Sequence, residues 1–158
     1  MKHAIVTWAA WYLGRSITKS LVMDWYHVHM IDINETVLEE INIENTSKYW
    51  VNVLNTKEIK RIINDINKFQ DANLDLLVIG HWKTDFHKHL FDMSLFEWKE
   101  QINDHLISIF PILKETSRVM SKKVEWWTIV FLWSVWSNKA HREQIAYDAA
   151  KWWIESLC

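Results

Sequence analysis

Five short apolar runs recur along the chain, and each is separated from the next by a stretch with helical spacing. The runs are "HAIVT" (3–7), "HVHMID" (27–32), "VNV" (51–53), "DLLVI" (75–79) and "TIVFL" (128–132). They are brief and rich in Val, Ile and Leu, as strands covered on both faces are. Between the third and fourth, Ile59, Ile62, Ile63, Ile66 and Phe69 fall on one face of a helix. That helix opens at "NTKE", where Asn55 can cap and Glu58 can answer it. "SLFEWKEQINDHLISIFPILKETSRVM" is a longer helical stretch with Pro111 as its kink or break. Strand and helix in alternation require crossover connections, so the fold class is α/β, a three-layer, doubly wound parallel sheet in one domain.

The 158 residues suit a single domain, and 49% apolar against 24% charged residues supply a packed core. A net charge of -2 offers no footprint for nucleic acid or for an anionic membrane, so neither is expected as a partner. The one cysteine, Cys158, cannot build an internal disulfide framework, which points to a reducing cytoplasm. "MKH" followed by "AIVTWAAWYL" has the charge and apolar length of a signal peptide, but it lacks a small-x-small cleavage site. No run approaches the roughly 18 apolar residues of a membrane span.

Twelve tryptophans and two glycines invert the usual balance of these residues. Trp8 and Trp11 lie in the first strand-to-helix turn, Trp25 ends the first helix, and Trp50 precedes the third run. Trp82 follows the fourth run, Trp126 and Trp127 precede the fifth, and Trp133 and Trp136 follow it; Trp152 and Trp153 come after Lys151. Only Trp98, in "FEWKE", stands where a bulky helix residue is ordinary. The other eleven occupy turns, helix ends and close packing points where glycine is the default. If buried, each would cost about 1 to 3 kcal/mol, and together they would exceed a typical stability of about 5 to 15 kcal/mol. An indole at Trp8 or Trp11 would also fill the space above the turn.

Written with glycine at 8 and 11, residues 7 to 14 read T-G-A-A-G-Y-L-G, and the chain resembles the short-chain dehydrogenase/reductase family over essentially its whole length. The resemblance implies a Rossmann-like, dinucleotide-binding domain over 1–158, incomplete at the C-terminus. It places Thr7, Trp8, Trp11, Tyr12, Leu13 and Gly14 on the pyrophosphate turn. The spacing is that of the extended members, G-x-x-G-x-x-G. Asp32, 18 residues past Gly14, would accept the adenosine ribose hydroxyls beside Ile33 and repel a 2'-phosphate, favouring NAD over NADP. A solvated acid in a loop is the alternative for Asp32. "VNVLN" resembles the segment after strand three, with Asn52 where Asp is usual and Val53 beside the adenine. In "LLVIGHW", Ile79, Gly80, His81 and Trp82 replace the final residues of L-V-N-N-A-G.

The densest resemblance lies in "SVWSNKAHREQIAYDAAK". Tyr147 and Lys151 are four apart and share a helix face, and Ser134 precedes Tyr147 by 13 residues. The family's chemistry makes Tyr147 the acid or base, Lys151 the ammonium beside it and a nicotinamide-ribose ligand, and Ser134 a donor to the substrate oxygen. "WKEQINDHLISIF" puts His105 at the family's catalytic helix asparagine. The implied function is interconversion of a secondary alcohol and a carbonyl by an NAD-dependent homo-oligomer, a dimer or tetramer through the long helices. The alternatives are an extended-type nucleotide-sugar epimerase or dehydratase, and a non-catalytic binding protein. His27 and His29 share a strand face and His81, His87 and His89 cluster in sequence. Their spacing matches no compact zinc signature, so core or solvated histidines are expected and no metal.

Overall fold

The computed structural model describes residues 1–68, 73–80, 87–122, 126–134 and 141–157. Five parallel strands form one sheet in the order β3-β2-β1-β4-β5. They are β1 (Lys2–Thr7), β2 (Tyr26–Asp32), β3 (Thr46–Trp50), β4 (Asn73–Ile79) and β5 (Thr128–Phe131). The helices are α1 (Tyr12–Met23), α2 (Glu35–Glu39), α3 (Thr56–Lys68), α4 (Leu95–Ile102), α5 (Ile109–Met120) and α6 (Ile145–Glu155). Ala4, Val6, Val28 and Met30 face α1 and α2, packing with Ile17, Leu21 and Leu38. Ile5, Ile31, Leu77 and Ile79 face the other way, against Ile59, Ile63 and Ile66 of α3, Ile112 of α5 and Ile154 of α6. The expected three-layer, doubly wound sheet is thus present. The apolar N-terminal run is its central strand.

Two expected boundaries move. The third strand is Thr46–Trp50, not 51–53; Val51 follows it and donates its N–H to the Asp32 carbonyl at 2.8 Å. Among the described strands β3 is an edge, so it needs no apolar run, and "TSKYW" alternates instead. The long helix breaks before Pro111, not at it. A π-helical turn spans Asn103–Ile107, closed by the Ser108 N–H on the Asn103 carbonyl at 2.9 Å. Pro111 lies in the first turn of α5, and its ring would clash with the carbonyl of Ile107 in a regular helix, so the distortion falls one turn upstream. Asn55 caps α3 as expected by accepting the Glu58 N–H at 3.2 Å, but the Glu58 carboxylate pairs with Arg61 rather than returning to the cap. Phe69 lies outside the described residues.

The tryptophans are also placed differently from expectation. Of the eleven at supposed glycine positions, Trp82 and Trp136 lie outside the described residues. Eight of the remaining nine are exposed, from Trp127 at 39% to Trp126 at 97%. Little is buried at the described positions, so little is overpacked there, and the penalty expected for buried indoles does not arise at them. The inference holds at two positions on backbone grounds: Trp8 (φ 57°) and Trp25 (φ 65°) sit in the left-handed region. Trp25 is the residue after the α1 C-cap, where glycine is favoured, and its N–H closes on the Val22 carbonyl at 3.1 Å. Trp11 has an extended backbone (φ -87°) that demands no glycine.

Three histidines meet on the α3 face at the N-terminal end of the sheet. His3 Nδ1 and His29 Nε2 are 3.0 Å apart, Tyr49 Oη is 3.3 Å from His29 Nδ1, and His27 Nε2 is 2.8 Å from Ser47 Oγ. His27 and His29 do share a face, as expected, with ring centres 5.0 Å apart. His3 completes the cluster. Burial, then the neighbouring His27 and His3, push His29 down to about 3. Its folded value therefore lies below its unfolded value near 6.5, so the unfolded chain binds the extra proton between them. Stability is complete above about pH 6.5 and declines as pH falls toward 3, by up to about 1.4 kcal/mol per pH unit for one such group. Urea unfolding between pH 6.5 and 5 should show this slope, and His29→Gln should remove about one proton from it. Equal slopes in both chains would contradict the assignment.

Candidate active site

The strand order reverses between β1 and β4, and a doubly wound sheet opens its binding crevice at the carboxyl ends of the strands there. Thr7 ends β1 and is buried. Its hydroxyl accepts the Gly80 N–H at 3.0 Å and lies 3.3 Å from the Gly80 carbonyl, spanning the gap between the two strands. A Cβ on Gly80 would lie 2.8 Å from Leu132 Cδ1, which brings the end of β5 to the same place.

The β1–α1 turn is built by close approach. Gly14 lies in the first turn of α1, and a Cβ there would press on the Trp8 carbonyl oxygen and stand 2.8 Å from Ala9 Cα. The Ala9 N–H donates to the Ile31 carbonyl at 3.2 Å, and Arg15 Nε donates to the Ala10 carbonyl at 2.6 Å. Asp32 ends β2 with 3% exposure, so it is not a solvated loop acid. Its Oδ2 accepts the Ala10 N–H and its Oδ1 accepts the Asn34 N–H, each at 2.9 Å. Each carboxylate oxygen keeps a second lone pair for a hydroxyl donor. Ile33, Trp50, Val51, Asn52, Asn55 and Arg61 line a cleft of about 600 Å³ at the end of β3. Val53 instead packs toward the core.

These features test the turn for a dinucleotide. The backbone fits: a left-handed residue at 8, a helix that starts at Tyr12, and first-turn N–H groups of the kind that receive anions at helix starts. The side chains stand in the way. Trp11 is the N-cap, where a small polar group would reach those N–H groups, and it makes no side-chain cap. Its ring stacks on Trp8, 5.5 Å between centres at 25°.

On the α3 side, α6 carries Tyr147 and Lys151, 7% and 3% exposed. Lys151 Nζ lies 5.7 Å from the Tyr147 ring centre. His105 is fully buried in the π-helical turn and meets the Tyr147 ring edge-on, 5.0 Å between centres at 86°. Three of the expected catalytic residues thus come together, and Ser134 stands half-buried just past the end of β5. His81 and Trp82 lie outside the described residues. Sequence reasoning did not single out Arg15, His3, or the pair His141 and Asp148. A basic residue directly after the turn glycine is a signal for Arg15; no local spacing marks the others.

The sequence profile of the short chain dehydrogenases matches residues 2–158. The chain belongs to the short chain dehydrogenase family. A 3-oxoacyl-acyl-carrier-protein reductase from Buchnera aphidicola is 28% identical over 151 residues, covering 94% of this chain and 61% of the relative. The chain therefore spans about three fifths of that curated relative. A short chain dehydrogenase from Mycobacterium smegmatis superposes with a TM-score of 0.88 at 22% identity, covering 99% of this chain and 68% of that one. An actinorhodin polyketide ketoreductase solved with NADPH gives 0.89 at 17%, with 99% and 62% covered. At these identities the two structures show the shared fold. The family is one of NAD(P)-linked oxidoreductases. Among the described residues, no helix is long and apolar enough to cross a membrane.

The indole pair generates a direct expectation. The unaltered chain should show no saturable enhancement of NADH fluorescence, and Trp8→Gly/Trp11→Gly should gain it. Saturable binding by the unaltered chain would show that the indoles do not obstruct the turn.

Proposed function

We propose that residues 1–158 are the dinucleotide-binding domain of an oxidoreductase that interconverts a secondary alcohol and a carbonyl, with a small-molecule substrate of that class. The observation that carries this reading is the buried Tyr147–Lys151 pair on one face of α6, packed against His105. The 3-oxoacyl substrate in the name of the Buchnera relative makes a 3-oxoacyl thioester the first carbonyl to try.

The residues divide the work by position. Thr7, Tyr12, Leu13 and Gly14 would hold the pyrophosphate at the start of α1, once Trp8 and Trp11 no longer cover it. Asp32 and Ile33 would take the adenosine ribose, with Asn52 toward the adenine and Gly80 further along; Val53 packs toward the core and takes no part. Asp32 favours NAD because a carboxylate repels a 2'-phosphate; NADP, the cofactor form in the ketoreductase structure, is the less favoured choice. In a chain with glycine at 8 and 11, a bound nicotinamide would supply the hydride. Tyr147 donates its phenolic proton to the substrate oxygen, and Lys151 stabilises the phenolate that remains. Ser134 donates a hydrogen bond where negative charge develops. The His105 ring buttresses Tyr147 at the position of the family's helix asparagine.

The exposed apolar residues Leu95, Phe96, Phe110, Trp152 and Trp153 on α4, α5 and α6 support a homo-oligomer through these helices. The Trp8–Trp11 stack favours the second reading, a non-catalytic binding protein.

Turnover separates the two. In a Trp8→Gly/Trp11→Gly background, NADH oxidation by acetoacetyl thioester should fall by about two to four orders of magnitude in Tyr147→Phe, with NADH affinity retained. Lys151→Met should weaken both binding and turnover, and Ser134→Ala should cost about a hundredfold in turnover. Near-normal turnover in Tyr147→Phe would remove the triad and leave the binding protein.

A further inference from the structure

The segment before α4 and the turn before α6 are laced together by polar contacts that the proposed chemistry leaves unexplained. The Lys88 N–H donates to the Glu143 carbonyl at 2.9 Å, and His89 Nε2 lies 3.5 Å from Glu143 Oε1. Gln144 Nε2 is 3.3 Å from His87 Nδ1. On one side the Lys88 ammonium pairs with Glu97, which also closes the capping box of α4 with Ser94. On the other side Asp148, in the first turn of α6, holds His141 twice. Asp148 Oδ2 accepts the His141 N–H at 2.7 Å, and His141 Nδ1 stands 3.0 Å from both carboxylate oxygens.

Asp148 follows Tyr147 directly and is 7% exposed. A buried carboxylate must be satisfied, and here both the backbone and the ring of a single loop residue help to satisfy it. The ring contact requires a proton on Nδ1, which sets the imidazole's orientation. The turn that links the two residues is short: the Asp148 N–H donates to the Gln144 carbonyl at 2.9 Å, and the Gln144 N–H to the His141 carbonyl at 3.5 Å. Any displacement of His141 therefore reaches Glu143, and through its carbonyl reaches Lys88.

We propose that Asp148 is a positioning residue: by clamping His141 it fixes the 141–144 turn, and through Glu143 it holds residues 87–89 beside the start of α6, so that the first turn of the helix that carries Tyr147 keeps one arrangement. The catalytic consequence rests on the oxidoreductase reading; the clamp itself does not. Misplacing a reacting group by about 1 Å can cost on the order of a hundredfold in rate, so a loop held this way matters to turnover more than to cofactor affinity.

Amide hydrogen exchange at Lys88 tests the clamp without any substrate, because Lys88 does not touch Asp148. Asp148→Ala should raise its exchange rate tenfold or more, and Asp148→Asn, which keeps the size and one acceptor, should raise it several-fold. If the alanine chain does not fold, the asparagine chain decides. Unchanged Lys88 exchange in the folded variants would overturn the clamp. In the Trp8→Gly/Trp11→Gly background, with acetoacetyl thioester and NADH, Asp148→Ala should lower kcat about tenfold and leave the KM for NADH unchanged. Raised exchange with unchanged kcat would overturn the positioning role. A parent chain without turnover counts against the oxidoreductase reading, and Lys88 exchange still decides the clamp.

Discussion

The architecture depends on one close approach, that of the first turn of α1 to the backbone of Trp8 and Ala9. Only a residue without a Cβ permits it, and Gly14 is that residue. The approach brings α1 down onto the end of β1, and three strands are then tied at that point. Asp32 of β2 holds the Ala10 N–H, Thr7 of β1 bridges to Gly80 after β4, and the Ala9 N–H reaches the Ile31 carbonyl. The strand order sets the switch point of the sheet, and this contact brings the N-terminus of α1 down onto it.

Against that constraint the tryptophans fall into two groups. At Trp8 and Trp25 the backbone is left-handed, a conformation that strains any L-residue with a large side chain by on the order of 1 to 3 kcal/mol. At the other described positions among the eleven the indoles are exposed, and the chain tolerates them because a surface indole has nothing to overpack. The number of tryptophans therefore overstates their cost. Trp11 belongs structurally to the exposed group, and its effect falls on what could bind above the turn.

Much of the fold was legible because strands inside a parallel sheet must be apolar on both faces, and β1, β2 and β4 are marked by that requirement; β5, the other edge of the described sheet, is half-exposed and was legible only because "TIVF" is rich in strand-forming residues. β3 escaped it as an edge, where Ser47 and Tyr49 turn inward and Lys48 lies opposite. Pro111 announced a distortion, but the clash of its ring with a preceding carbonyl moved the break to Asn103–Ile107. At the site, Tyr147 and Lys151 could be paired from their spacing because a helix puts residues four apart on one face. Asp32 was legible by its place at a strand end. The His3–His29 bond and the His141–Asp148 clamp were not, since the first joins neighbouring strands and the second folds a loop back on a helix, and neither leaves a periodic trace in the sequence.

The account stands most directly on Gly14→Ala. A methyl group there must displace backbone rather than a flexible side chain, so the substitution should destabilise the chain by about 1 to 3 kcal/mol in urea unfolding, although alanine is the better helix former. Stability equal to or greater than that of the unaltered chain would contradict the claim that this approach organises the sheet and its site.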